Sequence, residues 1–263
     1  MSFSVNVDPT NPGQFFACCG LMELADRLWP GAEGWFAKDD RAFHIAAVGG
    51  SLAELVREMS TATLTQLDGE DPTGSPLGVG APFGSLRLDW WQDNRAGGKE
   101  LKVWAGRMES LRIAAGMQYA LPAAKFSSPD LFDIGLVVYE PNDSEKKVEP
   151  FYFDARRGPN AHSRDVGFSP NDLSLTTTAF PAVEFLCLVG LQRCLPAKTD
   201  EPRIYDYFTW TEPFAPVLLP AAVSGLLPHA GARGYRFENW FRTGQRKHKA
   251  FRSAIPLSSK VTK

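Results

Sequence analysis

DPTNPGQFFACCGLMELADRLWPG, residues 8–31, sets two proline-containing turns around a run whose reading decides how the chain packs. Counted as a helix from Gln14, it puts Phe15, Cys18, Cys19, Met22 and Ala25 on one face, and Phe16, Leu21, Leu24 and Leu28 widen that face almost all the way round. A helix so apolar is expected to be buried on most sides. Glu23 and Arg27 form a favourable i,i+4 pair on its polar edge. Gly20 costs about 1 kcal/mol relative to Ala in a helix interior, so it predicts a close backbone approach by another element. The small residues Ala17, Cys18 and Cys19 fit the same crowding. Two chemical readings of the stretch are weaker. Adjacent cysteines on a helix point about 100° apart, which prevents an ordinary disulfide. Asn11-Pro12-Gly13 opens a helix whose free N–H groups suit an anion, yet no Walker lysine or G-x-G-x-x-G pattern follows.

Outward from this helix, SFSVNV (2–7) alternates as a strand, AFHIAAV (42–48) reads as a strand, and SLAELVREM (51–59) as a helix with Ser51 as N-cap and Glu54 completing a capping box. Residues 68–84, rich in Gly and Pro, read as a loop with the composition of a mobile one. SLRLDWW (85–91) alternates as a strand, followed by a Gly-rich turn at 94–99. Leu101, Trp104, Met108, Leu111, Ala115 and Tyr119 recur at intervals of three and four, predicting a helix over 101–119. DIGLVVYE (133–140) and PFYFDA (150–155) flank a charged tip as a hairpin. FPAVEFLCLVGLQRCLP (180–196) is a second very apolar helix, RIYDYFTW (203–210) a strand, and the proline-studded run to Pro228 short helix or irregular chain. Helices and strands mix without a regular βαβ repeat, so the expected fold class is α+β with an antiparallel-rich sheet. The expected organisation is an acidic body over residues 1–232 and a basic aromatic segment over 233–263.

The 263-residue chain is 44% hydrophobic, enough for a sizeable core. It has no apolar run of membrane-spanning length, and MSFSVNVDP lacks the basic and apolar regions of a signal peptide. The expectation is a soluble cytoplasmic protein with no membrane partner. Cys18, Cys19, Cys187 and Cys194 show no C-x-x-C spacing and read as buried thiols. His44, His162, His229 and His248 share no ligand spacing, so no metal and no cofactor is implied.

Charge is unevenly spread. Residues 233–263 hold nine of the 28 Lys and Arg but one of the 30 Asp and Glu, a balance of +8 in a chain of net −2. The remaining residues therefore carry −10. In RGYRFENWFRTGQRKHKAFR (233–252), Arg233, Arg236, Arg242, Arg246, Lys247, Lys249 and Arg252 alternate with aromatics, offering phosphate-neutralising charge and flat faces, Tyr235 and Trp240 among them, on which bases stack. The other reading makes those aromatics core and the charges a solvated face. FDARRGPNAHSRDVGF (153–168) gathers Asp154, Arg156, Arg157, His162, Ser163, Arg164 and Asp165, read as solvated loop charges or as backbone contacts by its arginines. A small metal-dependent nuclease acting through Asp154 and His162 is the enzymatic alternative, although convergent carboxylates are not evident. On balance no catalytic residue is expected.

Three stretches together, residues 8–36, LDWWQDNRAGGKELKVWAG (88–106) and 151–196, carry a resemblance. They resemble type I-U CRISPR-associated proteins of the Csb and Csx groups, chiefly in N-P-G-x-x-x-x-x-x-G-L-x-x-L-A and L-D-W-W … L-K-x-W-A-G. The resemblance implies a non-catalytic, large-subunit-like or accessory component of a Cascade-type antiviral surveillance complex. Its partners would be the backbone and guide-end subunits, the CRISPR guide RNA, target DNA and the Cas helicase-nuclease. Its tasks would be recognition of the protospacer-adjacent motif, stabilisation of the opened strands and helicase-nuclease recruitment. Lys99 and Lys102, beside Gly97-Gly98, become second-rank candidates for contact with nucleic acid, with Arg156, Arg157 and Arg164. A protein–protein adaptor within the complex is the other expectation.

Overall fold

The first helix, α1 (Pro12–Leu28), is buried continuously from Pro12 to Ala25. Asn11 caps it, its Oδ1 accepting from Gly13 N at 3.1 Å, and Pro12 supplies a preset first-turn φ. The computed structural model describes residues 2–106, 108–122, 124–157, 178–227, 229, 231–242 and 246–258. Strand β1 (Ser2–Asn6) precedes α1, and β2 (Glu33–Phe36) and β3 (Ala42–Ala46) follow it. β3 pairs antiparallel with both, in the order β1-β3-β2. β1 and β2 are therefore parallel, joined across β3 by α1, which makes a split βαβ unit. The sequence pattern predicts no strand at β2, a four-residue element.

Helix α2 (Leu52–Thr61) starts as expected, with Ser51 Oγ accepting from Glu54 N at 3.2 Å. Beyond it, β4 (Leu64–Gln66), β5 (Leu77–Val79) and β6 (Leu86–Leu88) form a small sheet with β5 in the centre. The stretch 68–84 is thus not loop throughout. Ser75 Oγ lies 2.8 Å from Ser110 Oγ and accepts from Trp91 Nε1 at 3.0 Å, and Leu77 and Val79 are core. The single helix expected over 101–119 is two: α3 (Gly98–Leu101) and α4 (Ser110–Tyr119). Residues 102–105 leave the helix, because Val103 O accepts from Lys249 N and Trp104 is enclosed by Trp90, Trp91 and Phe151. Tertiary pairing overrides a helical spacing there.

The expected hairpin is tighter than its sequence pattern. β7 (Tyr139–Glu140) pairs with β8 (Asp143–Lys147) inside the charged tip, while Phe151 and Phe153 enter the core. Helix α5 (Pro181–Gly190) crosses α1 where two glycines meet. A Cβ on Gly20 would overlap the Leu186 carbonyl oxygen, and one on Gly190 would overlap that of Phe16. Cys18, Cys19, Cys187 and Cys194 are free and buried.

The chain then builds a second main sheet beside that of β1-β3-β2, with β9 (Ala197–Lys198), β10 (Ile204–Phe208), β11 (Gly234–Phe241) and β12 (Lys249–Phe251) in the order β12-β11-β10-β9 and β13 (Ile255–Pro256) also on β11. A short helix, α6 (Leu219–Val223), lies between β10 and β11. The two sheets join where Phe36 N donates to Trp210 O at 2.8 Å and Gly34 exchanges hydrogen bonds with Phe214. Phe15 contacts Phe36 and Tyr207, and Phe16 meets Phe237, so α1 serves one aromatic core under both sheets. The mixed helices and antiparallel sheets bear out the α+β reading. β11, β12 and β13 complete this sheet, and Phe237 and Phe251 belong to the same core as α1. No helix among the described residues is long and apolar enough to cross a membrane.

Candidate nucleic-acid interface

β11 alternates, with Tyr235, Phe237 and Asn239 buried and Arg236, Glu238 and Trp240 turned outward. Tyr235 stacks on Tyr207 with ring centroids 5.6 Å apart and donates its hydroxyl to Asp40 Oδ2 at 2.9 Å. Burial and this bond to Asp40 raise its pKa above the ordinary phenol value. At 5% exposed it has no face to offer a base, which corrects the expectation for that residue. Asn239 donates to the carbonyls of Glu100 and Leu101 and so ties β11 to α3.

Several of the basic residues are already engaged inside the fold. Arg236 holds Asp206 through both Nε (2.7 Å) and Nη2 (2.8 Å). Arg233 reaches Asp40 at 3.3 Å and the Lys38 carbonyl at 2.5 Å. Arg252 lies over the Trp240 ring at 3.9 Å and 3.5 Å from Glu238. Arg242 is buried, with its guanidinium 3.5 Å from the centre of the Tyr152 ring and its Nε donating to Lys249 O. Arg246 and Lys247 are exposed.

The remaining candidates converge. Lys249 extends its ammonium to the Glu100 carbonyl, and burial pushes its pKa down to about 8, helped by Arg203 and Lys102 and opposed by Glu100. Lys102 stands over Trp104 at 5.0 Å, its pKa lowered by burial and by Lys99 against the pull of Asp71. Lys198 pairs with Glu100 at 3.1 Å, and Arg203 covers the Phe241 ring at 4.9 Å. The turn after Gly97, β9, the turn into β10 and β12, distant in sequence, thus present Lys99, Lys102, Lys198, Arg203 and Lys249 on one surface. Glu100, Asp71 and Glu238 are the acidic groups among them. Sequence reasoning missed Lys198 and Arg203. Each stands alone in its local pattern, and only the pairing of β9 with β10 and of β10 with β11 brings them to this place.

Arg156 and Asp154 serve the fold. Asp154 is fully buried and binds Arg156 bidentately, and Arg156 continues to Asp133 at 2.8 Å, to Phe132 O, and over the Phe180 ring at 3.5 Å. Asn11 Nδ2 donates to Asp154 Oδ1 at 3.1 Å, and Asn11 Oδ1 also accepts from Ala155 N at 3.0 Å. A Cβ on Gly13 would overlap the Phe153 carbonyl. The N-P-G opening of α1 is therefore filled by the 153–155 main chain instead of a phosphate. Glu184, which sequence reasoning passed over, lies in the first turn of α5 and accepts from the N–H groups of Tyr152 (3.1 Å), Phe153 (3.3 Å) and Asp154 (3.1 Å). Burial raises its pKa to about 7 against those bonds, and the Asp154 charge adds to the rise. The signal for it was a lone carboxylate in an otherwise apolar helix.

Arg157 is buried beside the same Tyr152 ring that Arg242 covers. Arg164, with His162, Ser163 and Asp165, lies outside the described residues, as do Lys260 and Lys263. Among the described residues no three His, Cys, Asp or Glu side chains come together to hold a metal ion. No protein-family model, curated protein or solved structure matches this chain.

Proposed function

We propose that this protein is a non-catalytic subunit of a type I CRISPR surveillance complex, working in the cytoplasm, and that it contacts the phosphates of guide RNA or target DNA. The observation that carries the reading is the convergence of Lys99 and Lys102 with Lys249 and Arg203 beside the Phe241 ring. Such a surface offers charge for a phosphate backbone and an aromatic edge for a base. Exposed Arg246 and Lys247 extend its cationic character. The resemblance of residues 8–36, 88–106 and 151–196 supplies the setting, in which guide pairing reads sequence and protein reads shape, a short motif and phosphate.

Lys99→Glu and Lys102→Glu together test it, since Lys99 is exposed and Lys102 half-buried over the Trp104 ring, with circular dichroism of the variant as the control for folding. In fluorescence anisotropy with the purified complex, affinity is expected to fall and the slope of log K against log salt to become shallower by about 0.7–0.9 for each phosphate no longer neutralised. Unchanged affinity and slope would remove the assignment. A second reading, a protein–protein adaptor, draws on a groove of about 710 Å³ lined by Phe208, Ala222, Gly225, Leu227 and Leu257, with Leu226 and Ile255 exposed beside it. Crosslinking from residues 246–249 and from Leu226 separates the two, since nucleic-acid adducts at 246–249 favour the first reading and protein adducts at Leu226 alone the second.

A further inference from the structure

The arginines of this protein repeat one gesture. Arg156 grips Asp154, Arg193 grips Glu23 and Arg236 grips Asp206, each through the edge formed by Nε and Nη2. That edge presents two parallel N–H groups, the geometry that matches a carboxylate or a phosphate. Arg157 is 8% exposed, and its Nε and Nη2 are both buried with no hydrogen-bond partner among the described residues.

Its surroundings favour an anion. Tyr152 is held at φ +77°, a left-handed conformation rare for an aromatic residue, and its ring takes the Arg157 guanidinium at 5.7 Å and the Arg242 guanidinium at 3.5 Å. Two cations therefore share one ring. Two carboxylates bonded to Tyr152 are otherwise used: Glu149 accepts its hydroxyl at 2.6 Å, and Glu184 accepts three main-chain N–H groups, that of Tyr152 among them. His248, whose Nδ1 is also buried without a partner among the described residues, has its basicity lowered by burial and by Arg242 and Lys247. A buried guanidinium edge without an acceptor among the described residues is costly, and an oxyanion seated on it removes that cost.

We propose that Arg157, with Arg242 on the same Tyr152 ring, forms an oxyanion site that takes a phosphate group, and, resting on the reading of this protein as a nucleic-acid-binding subunit, that the phosphate belongs to the guide or target backbone. The test uses the intact protein and follows the arginine Nε–H resonances, with that of Arg157 assigned from Arg157→Lys. Inorganic phosphate and a short single-stranded RNA are titrated in turn. Both are expected to move the Arg157 resonance, and Arg157→Lys, which keeps the charge but loses the two-pronged edge, is expected to weaken phosphate binding at least tenfold. A resonance indifferent to both, or equal phosphate affinity in Arg157→Lys, overturns the site. Movement by inorganic phosphate but not by RNA that binds elsewhere on the protein overturns the backbone assignment alone. RNA that does not bind at all, with phosphate still bound, places the failure in the nucleic-acid reading. The shift itself is read in the wild-type chain, and Arg157→Lys enters only the assignment and the affinity comparison.

Discussion

Glu184 shows how much one side chain can hold. Its carboxylate collects the main-chain N–H groups of Tyr152, Phe153 and Asp154, and so sets the strained Tyr152 and the Asp154–Arg156 pair in place at the N-terminus of α1. Burial raises its folded pKa from 4.5 to about 7. A carboxyl raised in this way binds its proton more tightly folded than unfolded, so its contribution to stability is fully present below 4.5 and is lost as pH rises toward about 7. Glu184→Gln removes the titration and turns an N–H donor toward at least one of the three main-chain donors. Urea unfolding is expected to show a loss of about 1–3 kcal/mol at pH 5 and a flatter pH dependence between pH 5 and pH 8 than in the wild type. An equal pH dependence in the two proteins would mean that Glu184 stays charged in the folded state. The residue was visible in the sequence as a carboxylate among apolar neighbours, but its three partners lie thirty residues upstream and no local pattern announces them.

Among the elements, α1 and α5 form the packing on which both sheets rest. Their axes approach closely because Gly20 and Gly190 let each backbone meet a carbonyl of the other helix. Gly20→Ala sets two effects in opposition: a gain of about 1 kcal/mol in helix propensity and an overpacking cost of about 1–3 kcal/mol, more where the obstacle is backbone. The obstacle is the Leu186 carbonyl, so net destabilisation is expected in chemical denaturation. A gain in stability would show that the two helices can separate without cost. Here the sequence was a good guide, since a glycine inside an apolar helix has few other reasons to be there. It misled over 101–119, where Leu101, Trp104 and Met108 keep helical spacing although Val103 pairs with β12. It misled again at Leu77–Val79, whose strand is specified by partners on both sides more than by its own glycine-rich composition. Long apolar helices carry their own signal, whereas short strands depend on neighbours distant in sequence.

At the scale of the whole molecule, the charge asymmetry of the sequence has two structural meanings. Part of the C-terminal positive excess is internal pairing, since Arg233, Arg236 and Arg252 answer Asp40, Asp206 and Glu238. Another part meets Lys99 and Lys102 on the candidate interface, a meeting the linear pattern did not reveal because it is made by Lys249 of β12 on Val103 and by Asn239 of β11 on Glu100 and Leu101. Basic charge and aromatic interleaving were legible in residues 233–252; which aromatics face inward was not, because that depends on the register of β11 against β10. The same register makes residues of β11 and β12 part of the core. Tyr235, Phe237 and Phe251 are each at most 5% exposed. Burying an aromatic side chain of this kind contributes about 2–3 kcal/mol, so their joint loss is comparable with the whole stability of a domain, about 5–15 kcal/mol. A chain ending at residue 232 would also expose Phe16 and Tyr207, which pack on Phe237, and leave one side of β10 without its partner strand. That truncated chain is expected to lose near-ultraviolet circular dichroism and cooperative thermal unfolding, while the full chain with Arg246→Glu and Lys247→Glu keeps both and changes only its affinity for nucleic acid. A sharp melting transition in the truncated chain would mean that the basic segment is an appendage and that β11 contributes little to the core.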